Sequence, residues 1–196
     1  MDSIDEQALQ QIFTRARTFN AWQDQPVSED LLRRVHEMAL WGPTSMNCLP
    51  MRVRYLVSAE AKEKLKPALA EGNVEQTMTA PVTAIVATDH EFYEKLPELF
   101  PVFPGARDMF ANDPDLAQAN AFRNATLQGG YLIIAARALG LDCGPMSGFD
   151  NAKVDEVFFP DSPVKSNFLL NLGYGDREQL YPRGPRPAFE EVASFE

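Results

Sequence analysis

The 196-residue chain carries a net charge of -10, and 45% of its residues are hydrophobic, enough for one domain with a packed core. Such acidity excludes a nucleic-acid groove or an anionic membrane surface as the partner and serves solubility. The two cysteines, Cys48 and Cys143, lie far apart, with none of the spacing of a metal site or a disulfide framework, so a reduced cytoplasmic setting is expected. The stretch Met1-Asp2-Ser3-Ile4-Asp5-Glu6 is acidic with no apolar signal segment, and no apolar run is long enough to span a bilayer.

Apolar residues from Ser3 to Phe13 recur at helical spacing, and the polar, basic stretch Thr14 to Trp22 follows. Ser28 opens a second helix with Glu29 and Asp30 in its first turn, and Gly42-Pro43 ends it. Gly42 to Pro50 reads as a loop rich in hydroxyl and amide groups, Arg52 to Val57 as a strand, and Ala59 to Ala70 as a helix broken at Gly72-Asn73, with one more turn over Val74 to Thr79. Val82 to Ala87 has the composition of a sheet interior. Phe92 to Leu99 predicts a short helix, and Phe100 to Asp115 an irregular excursion that could shape a pocket with Phe103 and Phe110. From Ala119 to Leu139 runs a long helix, with Tyr131 to Ala136 apolar on every face and Gly140 as its left-handed cap. Gly129-Gly130 costs about 1 kcal/mol per glycine relative to alanine, so a close approach is expected there, from a second subunit or within one. Leu141 to Cys143 is a short extended step into the loop Gly144-Pro145-Met146-Ser147-Gly148-Phe149. Asn151 to Phe158 is a short helix, Val164 to Tyr174 the last strand, and Gly175 to Glu196 an extended tail. Four strands among helices, without repeats or linkers, indicate one α+β or α/β sandwich domain over 1–196, with 176–196 a C-terminal arm.

Conspicuous acid, base and nucleophile sets are missing. His36 and His90 have no partners at ligand spacing, so no metal is expected. Ser45 and Cys48 share a loop without a nucleophile elbow, which leaves a hydrolase little support. An enzyme of this composition needs an organic cofactor. Arg15, Arg17 and Thr18 near one end, with Arg183 and Arg186 near the other, suit a phosphate or an ordinary surface. Ser45, Asn47 and Asn73 suit the edge of a heterocycle or plain turns, and Pro145 to Gly148 suits a ring face or a plain turn.

Taken together, these segments resemble the FMN-dependent nitroreductase family over nearly the whole chain. The specific parts are Pro43-Thr44-Ser45-Met46-Asn47 and the segment from Ala138-Leu139-Gly140 to Phe149. Arg17-Thr18-Phe19-Asn20-Ala21-Trp22, Trp41-Gly42-Pro43-Thr44-Ser45, Ala80 to Val86 and Phe122-Arg123-Asn124 look closest to the malonic semialdehyde reductase branch of pyrimidine degradation. The resemblance implies an α+β three-layer sandwich with a mixed, mainly antiparallel sheet, a long buried central helix and an intertwined homodimer with flavin sites at the interface. By the same resemblance Arg17, Thr18 and Asn20 lie near the FMN phosphate, and Arg183, with Arg186 less surely, completes the clamp. Pro43, Thr44, Ser45 and Asn47 come from the partner subunit. Asn73 reaches the ring edge, and Pro145, Met146, Ser147 and Gly148 back the ring around N5. Two departures stand out: Ala16 and Asn20 occupy positions that are basic in many members, and Ser147 stands where many have glutamate. The implied activity is ping-pong hydride transfer from NADH or NADPH through flavin N5, with no catalytic side chain, to a semialdehyde, a quinone or a nitroaromatic. A flavin-binding module without turnover, for storage or sensing, is the alternative.

Overall fold

The computed structural model describes residues 2–196, and Met1 lies outside the described residues. A four-stranded sheet runs in the order β1-β2-β4-β3, with β1 Met51–Leu56, β2 Val82–Asp89, β3 Asp142–Met146 and β4 Val164–Gly173. All three pairings are antiparallel. The sheet expected to be mixed is therefore wholly antiparallel, and among the described residues the one parallel contact is an isolated bridge between Thr18 and Cys143. β2 is buried along nearly its whole length, as its Val-Thr-Ala-Ile composition requires of a central strand.

Alternation along the strands sends side chains into two separate cores. Val82, Ala84, Val86, Leu170 and Leu172 pack with Leu32, Val35 and Ala39 of α2 (Glu29–Ala39) and with Ala125, Leu132 and Ala136 of α7 (Pro114–Ala138). Ile85, Ala87 and Leu169 pack on the other face with Leu65 of α3 (Ala59–Leu65) and Val154 of α8 (Asn151–Phe158). The layers are helix, sheet, helix.

Helix starts follow from capping. Ser28, Ser58, Asp113 and Asp150 each accept a hydrogen bond from the amide three residues on. Such a cap contributes about 1 kcal/mol. α7 ends on Gly140 at φ +87°, with the Leu141 amide donating to Ala136 O at 2.9 Å and the Gly140 amide to Arg137 O at 3.1 Å, a paired closure that needs the left-handed glycine.

Several boundaries differ from expectation. The first helix is α1 (Glu6–Leu9) widened into a π-helical stretch, Gln10–Thr14. Gly72 and Asn73 do not break a helix; they lie in the first turns of α4 (Glu71–Thr79), where the backbone amides lack helical partners anyway and glycine costs little. The Phe100 to Asp115 excursion, beyond the short α5 (Leu96–Leu99), contains α6 (Ala106–Ala111). Phe110 is core there, edge-on to Phe92 at 5.0 Å, and does not line a pocket. Pro145 and Met146 belong to β3 and not to a loop, because an edge strand tolerates a proline. α7 starts five residues earlier than expected. It is not buried all round: Tyr131, Ile133 and Ile134 are half-buried, and Phe122 is 56% exposed. α7 packs on the sheet beside α2, and the part of its surface turned from both stays open. The two mid-helix glycines part company. A Cβ on Gly129 would meet the Phe168 ring of β4 at 2.6 Å, whereas Gly130 faces open space. The tail makes a 3-10 turn at Arg177–Gln179 and then runs extended up to α9 (Phe189–Val192).

Candidate functional site

The end of β3 and the start of α4 form one half of the site. Pairing with β4 fixes Pro145 opposite Leu170 and Met146 opposite Leu169. Just beyond, Gly148 O accepts from the Ala70 amide and from Asn73 Nδ2, both at 2.9 Å. A Cβ on Gly148 would lie 2.5 Å from that Asn73 nitrogen, so only glycine lets the amide approach. Asn73 is oriented in turn by Gln76, whose Nε2 donates to Asn73 Oδ1 at 2.6 Å. The Gln76 carbonyl accepts from Trp22 Nε1 (3.0 Å) and Asn171 Nδ2 (3.1 Å), which ties α4 to the sheet. At the far end of α4, the buried Lys62 ammonium donates to Met78 O at 3.0 Å and Ala80 O at 2.5 Å, opposite the negative end of the helix. Burial lowers the Lys62 pKa. Ser147 is exposed, and Met146 is nearly buried, its sulfur accepting from Thr77 Oγ1 at 3.5 Å.

The basic stretch lies alongside. The Phe19 amide donates to Cys143 O at 3.0 Å, and the Thr18–Cys143 bridge aligns residues 18–19 with the edge of β3. The tail then folds back: Gln23 N donates to Tyr174 O (2.8 Å) and Asp176 N to Ala21 O (3.0 Å). Two arginines lock the segments reciprocally. Arg17 Nη2 donates to Tyr181 O, while Arg183 Nη2 donates to Thr14 O at 2.8 Å and Ala16 O at 2.9 Å. Arg186 instead bonds Gly184 O and Pro185 O of its own turn and does not join them. Thr18 and Asn20 are exposed, and their side chains make no hydrogen bond among the described residues. Each guanidinium has five donors, so both arginines keep several free beside a hydroxyl and an amide. That donor set fits a phosphate.

The loop from Pro43 to Pro50 is elsewhere. It precedes β1, at the opposite edge of the sheet from β3. Cys48 is buried there with Phe92, Leu96 and Ala117, while Pro43, Ser45 and Asn47 are exposed. Its backbone is unusual: Met46, Asn47 and Leu49 all have positive φ (52°, 49° and 41°). Each non-glycine residue in that region costs about 1–2 kcal/mol, an expense seen where loops carry function.

Proton chemistry finds little support. Burial pushes the Cys48 thiol up to about 11 and the Cys143 thiol to about 12, so neither is a thiolate at neutral pH. Cys48 Sγ donates to an amide oxygen, Asn120 Oδ1, which is no base. Burial lowers the pKa of both His36 and His90; His36 Nδ1 lies 3.1 Å from the Tyr55 hydroxyl. Among the described residues no three or more His, Cys, Asp or Glu side chains group as metal ligands, and no helix is long and apolar enough to cross a membrane. Asn171 and Lys62 escaped sequence reading because each holds backbone carbonyls distant in sequence, and Gln76 because its contact with Asn73 needs the helix that sequence reading broke at Gly72-Asn73.

The profile of the nitroreductase family matches residues 14–174, and the chain belongs to that family. Its fold is shared with a protein described as a nitroreductase in complex with FMN from Exiguobacterium sibiricum, at a TM-score of 0.86 and 20% identity, over 100% of this chain and 99% of that one. A protein described as an NAD(P)H:FMN oxidoreductase from Staphylococcus epidermidis aligns at 0.82 and 18% identity, over 100% and 98%. The gut-bacterial enone reductase CLA-ER, of fatty acid biohydrogenation, aligns at 0.83 and 19%, over 98% and 99%.

Proposed function

We propose that this nitroreductase-family chain is an FMN-dependent NAD(P)H oxidoreductase that works as a homodimer and reduces a small acceptor. The reciprocal clamp of Arg17 on the tail and Arg183 on residues 14–16, beside the free Thr18 and Asn20 side chains, carries the reading. When bound, FMN supplies the redox chemistry, taking hydride from the nicotinamide and giving it to the acceptor. The chain holds and orients. Arg17, Arg183 and Thr18 neutralise and grip the phosphate, and Asn20 adds an amide without charge. Asn73, fixed by Gln76 and Gly148 O, meets the ring edge. The backbone from Pro145 to Gly148 forms the floor, so Ser147 serves there without a carboxylate. The proton that completes reduction of the acceptor comes from water, so no side chain is asked to move one, in keeping with the protonated thiols and the lowered histidines.

Two observations support the dimer. Three strand spacings, about 14 Å, separate the β1 edge from the β3 edge. The Pro43–Asn47 loop therefore meets a flavin most readily on a second subunit. Large apolar side chains are also open to solvent in one chain: Trp41 is 88% exposed and Phe195 91%. For the acceptor, the resemblance of residues 17–22, 41–45, 80–86 and 122–124 favours malonic semialdehyde, reduced to 3-hydroxypropionate, ahead of quinones and nitroaromatics. A cytoplasmic setting suits that substrate.

The test is direct. Purified protein should be yellow and should bleach anaerobically with NADH or NADPH. Malonic semialdehyde, a quinone and a nitroaromatic are then compared as oxidants of the reduced protein, and the semialdehyde is expected to be fastest. Colourless protein that ignores added FMN overturns the reading, and yellow protein that nicotinamides fail to bleach is a binding module.

A further inference from the structure

Helix α7 buries mostly alanine, leucine and glycine, yet Asn120, Asn124 and Gln128 recur on it at intervals of four, which places them on one face. Asn124 is 4% exposed and Gln128 is fully buried. An amide taken out of water is unfavourable by about 1–3 kcal/mol unless it finds a partner, so these three need a reason. Their acceptors all meet one segment. Asn124 Oδ1 accepts from the Ser45 amide at 2.8 Å, Asn120 Oδ1 from Cys48 Sγ at 3.6 Å, and Gln128 Oε1 from the Met51 amide at 3.0 Å. Asn124 Nδ2 donates back to Asn120 O (2.9 Å) and Oδ1 (3.0 Å), which fixes the orientation of both amides. Gln128 Nε2 is buried without a partner, so this residue is worth its place for its oxygen alone.

The three tied points bracket the left-handed residues Met46, Asn47 and Leu49. The ladder thus opposes the strain of the loop and sets its facing. Backbone groups turn inward, while Ser45 and Asn47 are exposed; Asn47 spends its Nδ2 on Leu99 O at 3.0 Å and keeps its carbonyl oxygen free.

We propose that Asn120, Asn124 and Gln128 are positioning residues for the flavin site, holding the Thr44–Met51 loop so that the Ser45 hydroxyl and the Asn47 carbonyl are presented outward to the flavin of the second subunit. This rests on the flavin reading above. Removing one rung lets the loop relax towards right-handed backbone, and the flavin loses those contacts although no residue touching it has changed.

The experiment titrates flavin-stripped, full-length protein with FMN and follows fluorescence quenching and the visible absorption envelope at saturation. Asn124→Ala should weaken FMN by about ten-fold, the equivalent of one hydrogen bond, and shift the envelope at saturating FMN. Leu132→Ala, a fully buried position on the same helix, should lower the melting temperature but leave the saturated envelope as in wild type, which separates positioning from general destabilisation. If Asn124→Ala does not fold, Asn120→Ala is read by the same criteria. Affinity within about two-fold of wild type, or a Leu132→Ala protein with the same altered envelope, overturns the positioning role alone. Wild-type protein that takes up no FMN overturns the flavin reading, and the positioning role with it.

Discussion

The two halves of the candidate site are held by different means. At the β3 edge, Pro145 and Met146 are placed by strand pairing and Asn73 by the first turns of α4, all with ordinary backbone. At the β1 edge, the Pro43–Pro50 loop has three left-handed non-glycine residues and is held by side-chain amides of α7. Regular structure positions a group through many small, redundant hydrogen bonds. A strained loop positions it through a few, so single substitutions there should propagate further.

Four measurements break or sharpen this contrast. The largest effect is expected at the clamp that closes the β3 half. Arg183→Ala, or Arg17→Ala, should weaken FMN by about 100-fold, since charge-assisted hydrogen bonds are worth about 1.5–3 kcal/mol; equilibrium titration reads it. Next, Asn73→Ala should weaken FMN by about ten-fold. Gly148→Ala should do the same by displacing the Asn73 amide, and if both bind normally the β3 half is not the ring site. The third measurement is pH. Burial lowers the pKa of His36, which lines the cleft that also holds Leu49 and Met51 beside the loop. The folded state then binds that proton less readily than the unfolded chain, so its contribution is full above the unfolded value of 6.5 and is lost as pH falls below it. Thermal melts between pH 7 and 5 should show falling stability, flattened in His36→Asn combined with His90→Asn. The smallest effect is Arg186→Ala, within about two-fold of wild type for FMN, because its guanidinium is turned onto its own backbone.

Legibility in the sequence followed the same division. β2, β4 and α8 were readable because apolar period or β-branched composition dominates them, and α8 spans Asn151–Phe158 as expected. The candidate segments at 17–20, 73 and 145–148 were readable as segments, and the fold sets them side by side. What sequence reading missed has physical causes. Gly-Pro inside β3 mimics a turn, because the tolerance of an edge strand for proline is a property of the sheet. Gly72-Asn73 mimics a break, because a helix start excuses glycine. Resemblance alone prefers Arg183 over Arg186 within one proline-rich run, and the return of the tail to Thr14 and Ala16 gives the physical difference between them. The role of the α7 amides was not legible, since their partners lie 72 to 79 positions away.

The reciprocal grip of Arg17 and Arg183 has a consequence for how the protein is made. It joins positions 164 and 169 residues apart. During synthesis, at about 5–20 residues per second, the basic stretch waits roughly ten to thirty seconds for Tyr181 and Arg183 to emerge. A chain halted just before Tyr181 contains every strand of the sheet but only one arginine of the reciprocal grip. If the grip holds the FMN phosphate as proposed, cofactor capture is a late event of maturation, and early stop codons in the tail should yield folded, colourless protein.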